Sequence, residues 1–420
     1  MSSVPQWLNK QQNMENINKS RLFTASCIAL TVTAMTFAIR AGIIPDLGEE
    51  FGLSDTQLGF VNSMAFFGFP AATILGGLLY NKLGPRVLII VAFVSHVLGL
   101  VLTIFAGGFW GLLISTFFIG FANGSVEAAC NPMISDMYVK NQTTMLNKFH
   151  VWFPGGIVVG ALVSKFMTDF GSGWELQIAI MLIPTLIYAF LFFGQKFPES
   201  ENIESDTALN ARSLMTPLFL FMALCMTLTA TTELGTQQWV ERILGNSGAS
   251  PMLILAMVTG LMAVGRYFAG PVVHRLNPIG VLFISSIIAT IGIGLMSVAT
   301  GGMVYFAAIV FAVGVMYFWP TMIGFVGEYI PKSGALGMSV MGGAGMLATG
   351  IWQPVIGGWL DGERTKAIAE GLVGDAAELA AGQATLDNIA VFPAILVVLL
   401  GALFFFGRKK LEEMRVPQEH

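Results

Sequence analysis

The sequence predicts an all-α polytopic membrane protein with twelve transmembrane helices in two pseudo-symmetric six-helix bundles. Three observations predict it. The first is composition: 55% of the 420 residues are hydrophobic and only 11% are charged, against roughly 25% charged in an ordinary soluble domain. With a mean hydropathy of +0.73, that much apolar surface cannot be hidden behind 21 basic and 25 acidic side chains. The second is twelve apolar stretches, each long enough for a hydrocarbon core that takes about 20 helical residues to cross. The third is an internal repeat that divides the twelve into two sixes. A net charge of −4 gives no basic footprint for nucleic acid. Cys27, Cys130 and Cys225 are odd in number and lie in apolar spans, so they imply no disulfide framework.

The first stretch, about 21–45, follows polar residues through Arg21 and has no small-residue cleavage site, so it reads as a span and not a signal peptide. The others run over about 56–80, 87–107, 109–137, 143–168, 175–196, 213–243, 250–273, 279–300, 302–329, 335–360 and 389–408. Lys and Arg set the orientation. With both ends inside, the inner segments hold Lys10, Lys19, Arg21, Lys82, Arg86, Lys140, Lys148, Lys196, Arg212, Arg275, Lys332, Arg408, Lys409, Lys410 and Arg415. The outer side holds only Lys165, Arg242, Arg364 and Lys366. Both termini are therefore expected in the cytoplasm, in the inner (cytoplasmic) membrane of the cell.

Gly77-Leu-Leu-Tyr-Asn81-Lys82-Leu83-Gly84-Pro85 after the second span is matched 193 positions later by Gly270-Pro-Val-Val-His274-Arg275-Leu276-Asn277-Pro278. The fifth and eleventh spans align at an offset of 190, pairing Gly155 with Gly345 and Gly160 with Gly350. The organisation expected is a tail over 1–20, a bundle over 21–196, a polar linker over 197–212, a second bundle over 213–408 and a tail over 409–420. Residues 361–388 have no counterpart in the first half and are expected to form a short extracellular helix.

Ionisable groups inside spans mark function, because each costs about 2.5–3.5 kcal/mol to insert unless it meets a partner or a water-filled cavity. Arg40, Glu127 and Glu233 are the main cases. Gly120, Gly124, Glu127 and Asn131 share one helical face, so a ligand or a neighbouring helix can approach the glycines closely beside Glu127 and Asn131. A desolvated Glu127 has the chemistry of a proton carrier; alternatively it only bonds a neighbouring helix and balances Arg40. Thr229, Glu233, Thr236 and Gln237 form a polar stripe close to Trp239, a combination that suits a sugar, with the alternative that Glu233 is a gate contact near the outer end. Arg40 either pairs with Glu127 or offers its planar fork to an anionic solute. Tyr317, Trp319, Trp352 and Gln353 complete the candidate lining, and His150 is expected to be solvated at a helix end. His96 is expected to be a hydrogen-bonded core residue, and Arg266 to snorkel to the cytoplasmic face.

Gly77, Leu79, Asn81, Lys82, Gly84 and Arg86 resemble the loop motif Gly-x-Leu-x-Asp-Arg-x-Gly-x-Arg of the major facilitator superfamily, with Asn81 in place of the acidic residue. Glu127-Ala-Ala-Cys-Asn131-Pro132 is similar to the Glu-x-Ala-x-Asn-Pro signature of its fucose–galactose–glucose symporter branch, and Glu233 to Trp239 resembles that branch's seventh-helix Glu-x5-Trp pattern. The resemblance implies two rocking halves with spans one, four, seven and ten lining the cavity. It also implies a proton, or alternatively sodium, entering with a hexose or deoxyhexose, and Glu127 as the recognition or coupling carboxylate. Arg40 stands where fucose-type members carry an acidic residue, and resembles the first-helix Arg of organic-anion symporters. A sugar acid is therefore the competing substrate.

The function expected is secondary uptake of a small polar solute by proton symport, with Glu127 and Arg40 in coupling, the protein working as a monomer in the lipid bilayer. Drug or metabolite efflux is the other carrier reading, on the weak match Gln353-Pro354-Val-Ile-Gly357-Gly358. An enzyme is not expected: there is no metal-ligand constellation, no nucleophile–base pair and no phosphate loop, and no cofactor or metal is implied.

Overall fold

The computed structural model describes residues 17–138, 142–198, 212–407 and 411. The acidic residues of the linker, from Glu199 to Asp206, and most of both tails lie outside the described residues. Helices follow one another throughout, and no strand occurs among the described residues. In chain order they are α1 (Lys19–Phe51), α2 (Asp55–Tyr80), α3 (Lys82–Ile104), α4 (Phe109–Met137), α5 (Lys148–Asp169), α6 (Trp174–Phe192), α7 (Pro217–Gln238), α8 (Pro251–Tyr267), α9 (Arg275–Met296), α10 (Gly302–Tyr329), α11 (Gly334–Ala369) and α12 (Asp375–Phe406). Ten of these are long and apolar enough to cross a membrane; the remaining two expected crossings coincide with α8, a 17-residue apolar helix, and α11.

Local chemistry sets the joints. The Asn18 side chain caps α1 at Arg21 N–H, and Gly52 ends the helix at φ +61°, a region open to glycine at no steric cost. Ser54 and Gln57 form a reciprocal capping box at the start of α2. The repeat is visible in the backbone. Gly84 breaks the helix near the start of α3 at φ 69°, ψ 167°, and Asn277, its counterpart, has φ 56°, ψ 163° near the start of α9. Asn277 offsets its strain by accepting Gly280 N–H on Oδ1 at 2.9 Å.

Residues 361–388 do not form a separate short helix. The Ala-rich sequence instead prolongs α11 to Ala369 and starts α12 at Asp375, with Gly371 and Gly374 turning the chain at positive φ. The glycines of α4 serve helix packing and not ligand approach. A Cβ on Gly120 or Gly124 would overlap the carbonyl oxygens of Ala65 or Phe69, so the two helices touch backbone to backbone.

The side bearing the chain ends is called here the termini side, and the opposite one the far side. The two sets of six helices meet tightly on the far side. A Cβ on Gly59 of α2 would lie 2.5 Å from the Gln353 carbonyl of α11, and one on Gly357 would overlap the Asp55 carbonyl. Pro354 has no N–H for the Gly350 carbonyl, and Ser63 of α2 takes that freed oxygen at 2.6 Å. On the termini side, Gly155 of α5, Gly324 and Gly327 of α10 and Gly343 of α11 face open space.

Candidate functional site

Between the halves, Phe37, Phe66, Phe69, Leu234 and Met346 form a small apolar cluster, with Phe153 and Trp319 against its edge. Arg40 lies on the far side of this cluster. Its guanidinium stands 5.2 Å from the Phe37 ring centroid and 5.9 Å from that of Phe66. Nη2 donates to Gln238 Oε1 of α7 at 2.7 Å, and Gln238 Nε2 donates back to the Phe37 carbonyl at 3.2 Å. The residue is 5% exposed, and its Nε and Nη1 have no hydrogen-bond partner among the described residues.

The structure does not bring Arg40 to Glu127. Asn123 of α4 donates to Thr36 Oγ1 of α1, which fixes the relative level of the two helices. Arg40 lies four residues beyond that bond toward the far side, and Glu127 four residues toward the termini side. At 1.5 Å per residue their levels differ by about 12 Å. Glu127 is half-buried, and its Oε2 accepts from Asn131 Nδ2 at 2.9 Å, the i, i+4 contact that their spacing predicts. Asn131 Oδ1 in turn meets His150 Nε2 at 3.1 Å, so His150 must be the donor. The exposed His150, expected to be merely solvated, thus closes a chain from the termini-side surface to the Glu127 carboxylate.

The polar stripe of α7 is used differently from the expectation. The hydroxyls of Thr229, Thr231, Thr232 and Thr236 donate to carbonyls one turn earlier, so they do not offer a row of donors to a solute. Glu233 sits in a π-turn over Thr231–Gly235 and pairs with Arg266 of α8 at 3.2 Å, away from the far-side end. Arg266 therefore does not snorkel to the surface: it reaches into the second half. Gln237 turns to Met262 Sδ of α8 at 3.6 Å. Trp239, just beyond α7, is fully buried, with Nε1 donating to Gln353 Oε1 of α11 at 2.8 Å, while Gln353 Nε2 is buried with no partner among the described residues. Trp352 packs its edge on Phe392 at 4.7 Å, on the α12 side. Trp319 and Tyr317 remain half-buried, Trp319 against the central cluster. His96 is a core residue as expected, bonded to Tyr188 at 3.0 Å and Asn123 at 2.9 Å.

Sequence reasoning misses a charged cluster that closes the far side. Asp55 of α2 is fully buried between Arg242, just beyond α7, at 2.7 Å and Arg364 of α11 at 2.5 Å. Asp361 of α11 accepts the backbone N–H groups of Asp55 and Thr56 and the Thr56 hydroxyl at 2.6 Å, where the positive end of the α2 dipole favours an anion. Glu378 of α12 holds Arg364 from behind at 2.5 Å. Burial pushes the Asp361 carboxyl up, but the bonds from Thr56 and Asp55 and the charge of Arg364 outweigh it and hold the group below its ordinary range.

The chain matches the Major Facilitator Superfamily over residues 26–353. It belongs to that superfamily. Among solved members, a bacterial homologue of the human lysosomal transporter Spinster, in an inward-facing and unoccupied conformation, superposes with a TM-score of 0.75 at 16% identity, covering 96% of this chain and 99% of that one. A D-xylose–proton symporter gives 0.74 at 14% identity, covering 92% and 97%. Among relatives in sequence are a hexuronate transporter of Bacillus subtilis, 27% identical over 40% of each chain, and a facilitated glucose transporter, member 10 of solute carrier family 2, of Xenopus tropicalis, 26% identical over 44% of this chain and 34% of that one. The putative niacin/nicotinamide transporter NiaP of Bacillus subtilis is 24% identical over 48% and 49%. These sequence matches span less than half the length of each relative. The relatives and solved neighbours named here are transporters and not enzymes, among them carriers named for hexuronate, glucose and D-xylose.

Proposed function

We propose that this transporter imports a sugar acid together with a proton, by alternating access, across the inner membrane with both termini in the cytoplasm. The observation that carries this reading is Arg40. It is a buried cation at the junction of the halves, it makes no ion pair among the described residues, and two nitrogens of its fork, Nε and Nη1, are unpartnered. A neutral hexose would leave that charge uncompensated, whereas a carboxylate fits the planar fork in two parallel bonds. A hexuronate transporter among the relatives agrees with this class of solute.

In this scheme the lysine and arginine bias makes the far side the outside, so the described state is open to the cytoplasm. Facing outward, Glu127 takes a proton while the solute carboxylate reaches Arg40. The halves rock, the far-side cluster forms, and Glu127 returns its proton to the termini side, where the exposed His150 bonds its neighbour Asn131. One chain holds the whole path, which supports a working monomer.

The test is uptake into liposomes holding a trapped pH dye. D-glucuronate should acidify the lumen while D-glucose does not, and Arg40→Gln should abolish the signal. Removing a bidentate charge-assisted contact costs about 2–4 kcal/mol, so affinity should fall at least about 30-fold. Acidification by glucose alone, or glucuronate uptake driven by sodium with no proton movement, would refute the substrate or the coupling respectively.

A further inference from the structure

Pro320 has no N–H, so the Met316 carbonyl four residues earlier loses its helical partner. At this point α10 breaks into two segments, Gly302–Val315 and Phe318–Tyr329. Arg266 of α8 supplies the missing donor: its Nε gives a hydrogen bond to the Met316 carbonyl at 2.9 Å. Gly265 beside it leaves room for the Met316 side chain, which any Cβ there would overlap. The Nη2 of the same guanidinium holds Glu233 Oε1 at 3.2 Å, inside the π-turn of α7. The other carboxylate oxygen, Oε2, is buried with no partner among the described residues. One planar fork thus grips two irregular points of the second half, a break in α10 and a π-turn in α7. Irregular turns of this kind mark functional hinges.

We infer that Arg266 is a positioning residue for transport, tying the Glu233 carboxylate to the Pro320 break of α10 so that the two change together. A solute donor that draws Glu233 toward Oε2 weakens the hold of Nη2, and the Nε bond that steadies the break is loosened with it. Conversely, a bend at the break turns the guanidinium and re-aims the carboxylate. A lysine keeps the charge but concentrates its donors on one nitrogen, and cannot span both partners as the fork does. The inference rests on the transport reading only in that α10 must move between states, and is independent of which solute is carried.

The test pairs a distance with a rate. Spin labels at Trp152→Cys, exposed at the start of α5, and Gly327→Cys, facing open space on α10, report the termini-side opening. Arg266→Lys should shift or broaden the distribution and slow D-glucuronate exchange about tenfold, the size of one lost hydrogen bond to a charged group. Pro320→Ala restores the N–H to Met316, so in that background Arg266→Lys should leave the distribution nearly unchanged. An effect of equal size in both backgrounds, or none in either, overturns the tie. Should Arg266→Lys not fold, Pro320→Ala alone must narrow the distribution, and no narrowing overturns it as well. A distance shift in a protein that fails to move glucuronate would sink the sugar-acid reading and leave this inference standing.

Discussion

Replacing Asp55 with Asn probes the cluster that shuts the far side. In the described state its carboxylate is fully buried and holds Arg242 at 2.7 Å and Arg364 at 2.5 Å. Opening that side separates α2 from α7 and α11, so both contacts exist only in the closed state. A hydrogen bond to a charged group contributes about 1.5–3 kcal/mol, and an amide oxygen can still serve one arginine, so about one such bond is lost. Two terms pull the net effect down. The open-state carboxylate regains water, and the arginines, 29% and 19% exposed, are screened by solvent. A bias of about 2 kcal/mol toward closure remains, which is about 30-fold in the equilibrium. A closed-to-open ratio of about 99:1 would then fall to about 3:1. Electron–electron distances between labels at Phe105→Cys and Val373→Cys, exposed on the far side of opposite halves, read this directly. The three native cysteines are buried and give little background. Asp55→Asn should add a long-distance component holding about a quarter of the molecules. If Asp55→Asn and Asp55→Ala both leave the distribution unchanged, the cluster does not hold the gate.

Gly357→Ala should act on the same equilibrium by wedging: its Cβ would overlap the Asp55 carbonyl only when the far side is shut, so the long-distance component should grow with the thermal stability of each half unchanged. The depressed pKa of Asp361 makes a pH prediction with a fixed sign. Its stabilisation is fully present above the ordinary aspartate pKa of about 4 and is lost as pH falls through the lower value, so the closed distance should persist at pH 5 and give way only below about pH 4. His96→Leu should destabilise by about 2–4 kcal/mol, since it orphans the buried Tyr188 hydroxyl and Asn123 Oδ1, and an unchanged melting temperature would refute that role.

The fold was legible because a bilayer imposes a length on every helix and a repeat fixes their number. The repeat even foretells the backbone, since Gly84 and Asn277 share a conformation that only the first accepts without cost. The site was legible only in part. Helical spacing placed Glu127 against Asn131 correctly, because i and i+4 neighbours are a property of one helix. It could not say that Arg40 and Glu127 sit at different depths, which depends on how α1 and α4 slide past each other and is fixed by the Thr36–Asn123 bond. Nor could it foresee that Trp239 donates to Gln353 Oε1, a contact made only when the chain beyond α7 packs on α11.

One signal in the sequence was available for what it missed. A proline inside a span leaves a carbonyl four residues earlier in want of a donor, and in lipid that want must be met. Two of the prolines point straight to a partner: Pro354 to the Ser63 hydroxyl and Pro320 to the Arg266 guanidinium. The first bond crosses between the halves and can survive only while the far side is closed. The second stays within one half and can persist through the transport cycle. The same backbone defect therefore does two jobs, as part of a seal in α11 and as an anchored break in α10. Which job it does is decided by whether the donor belongs to the moving partner or to the same bundle.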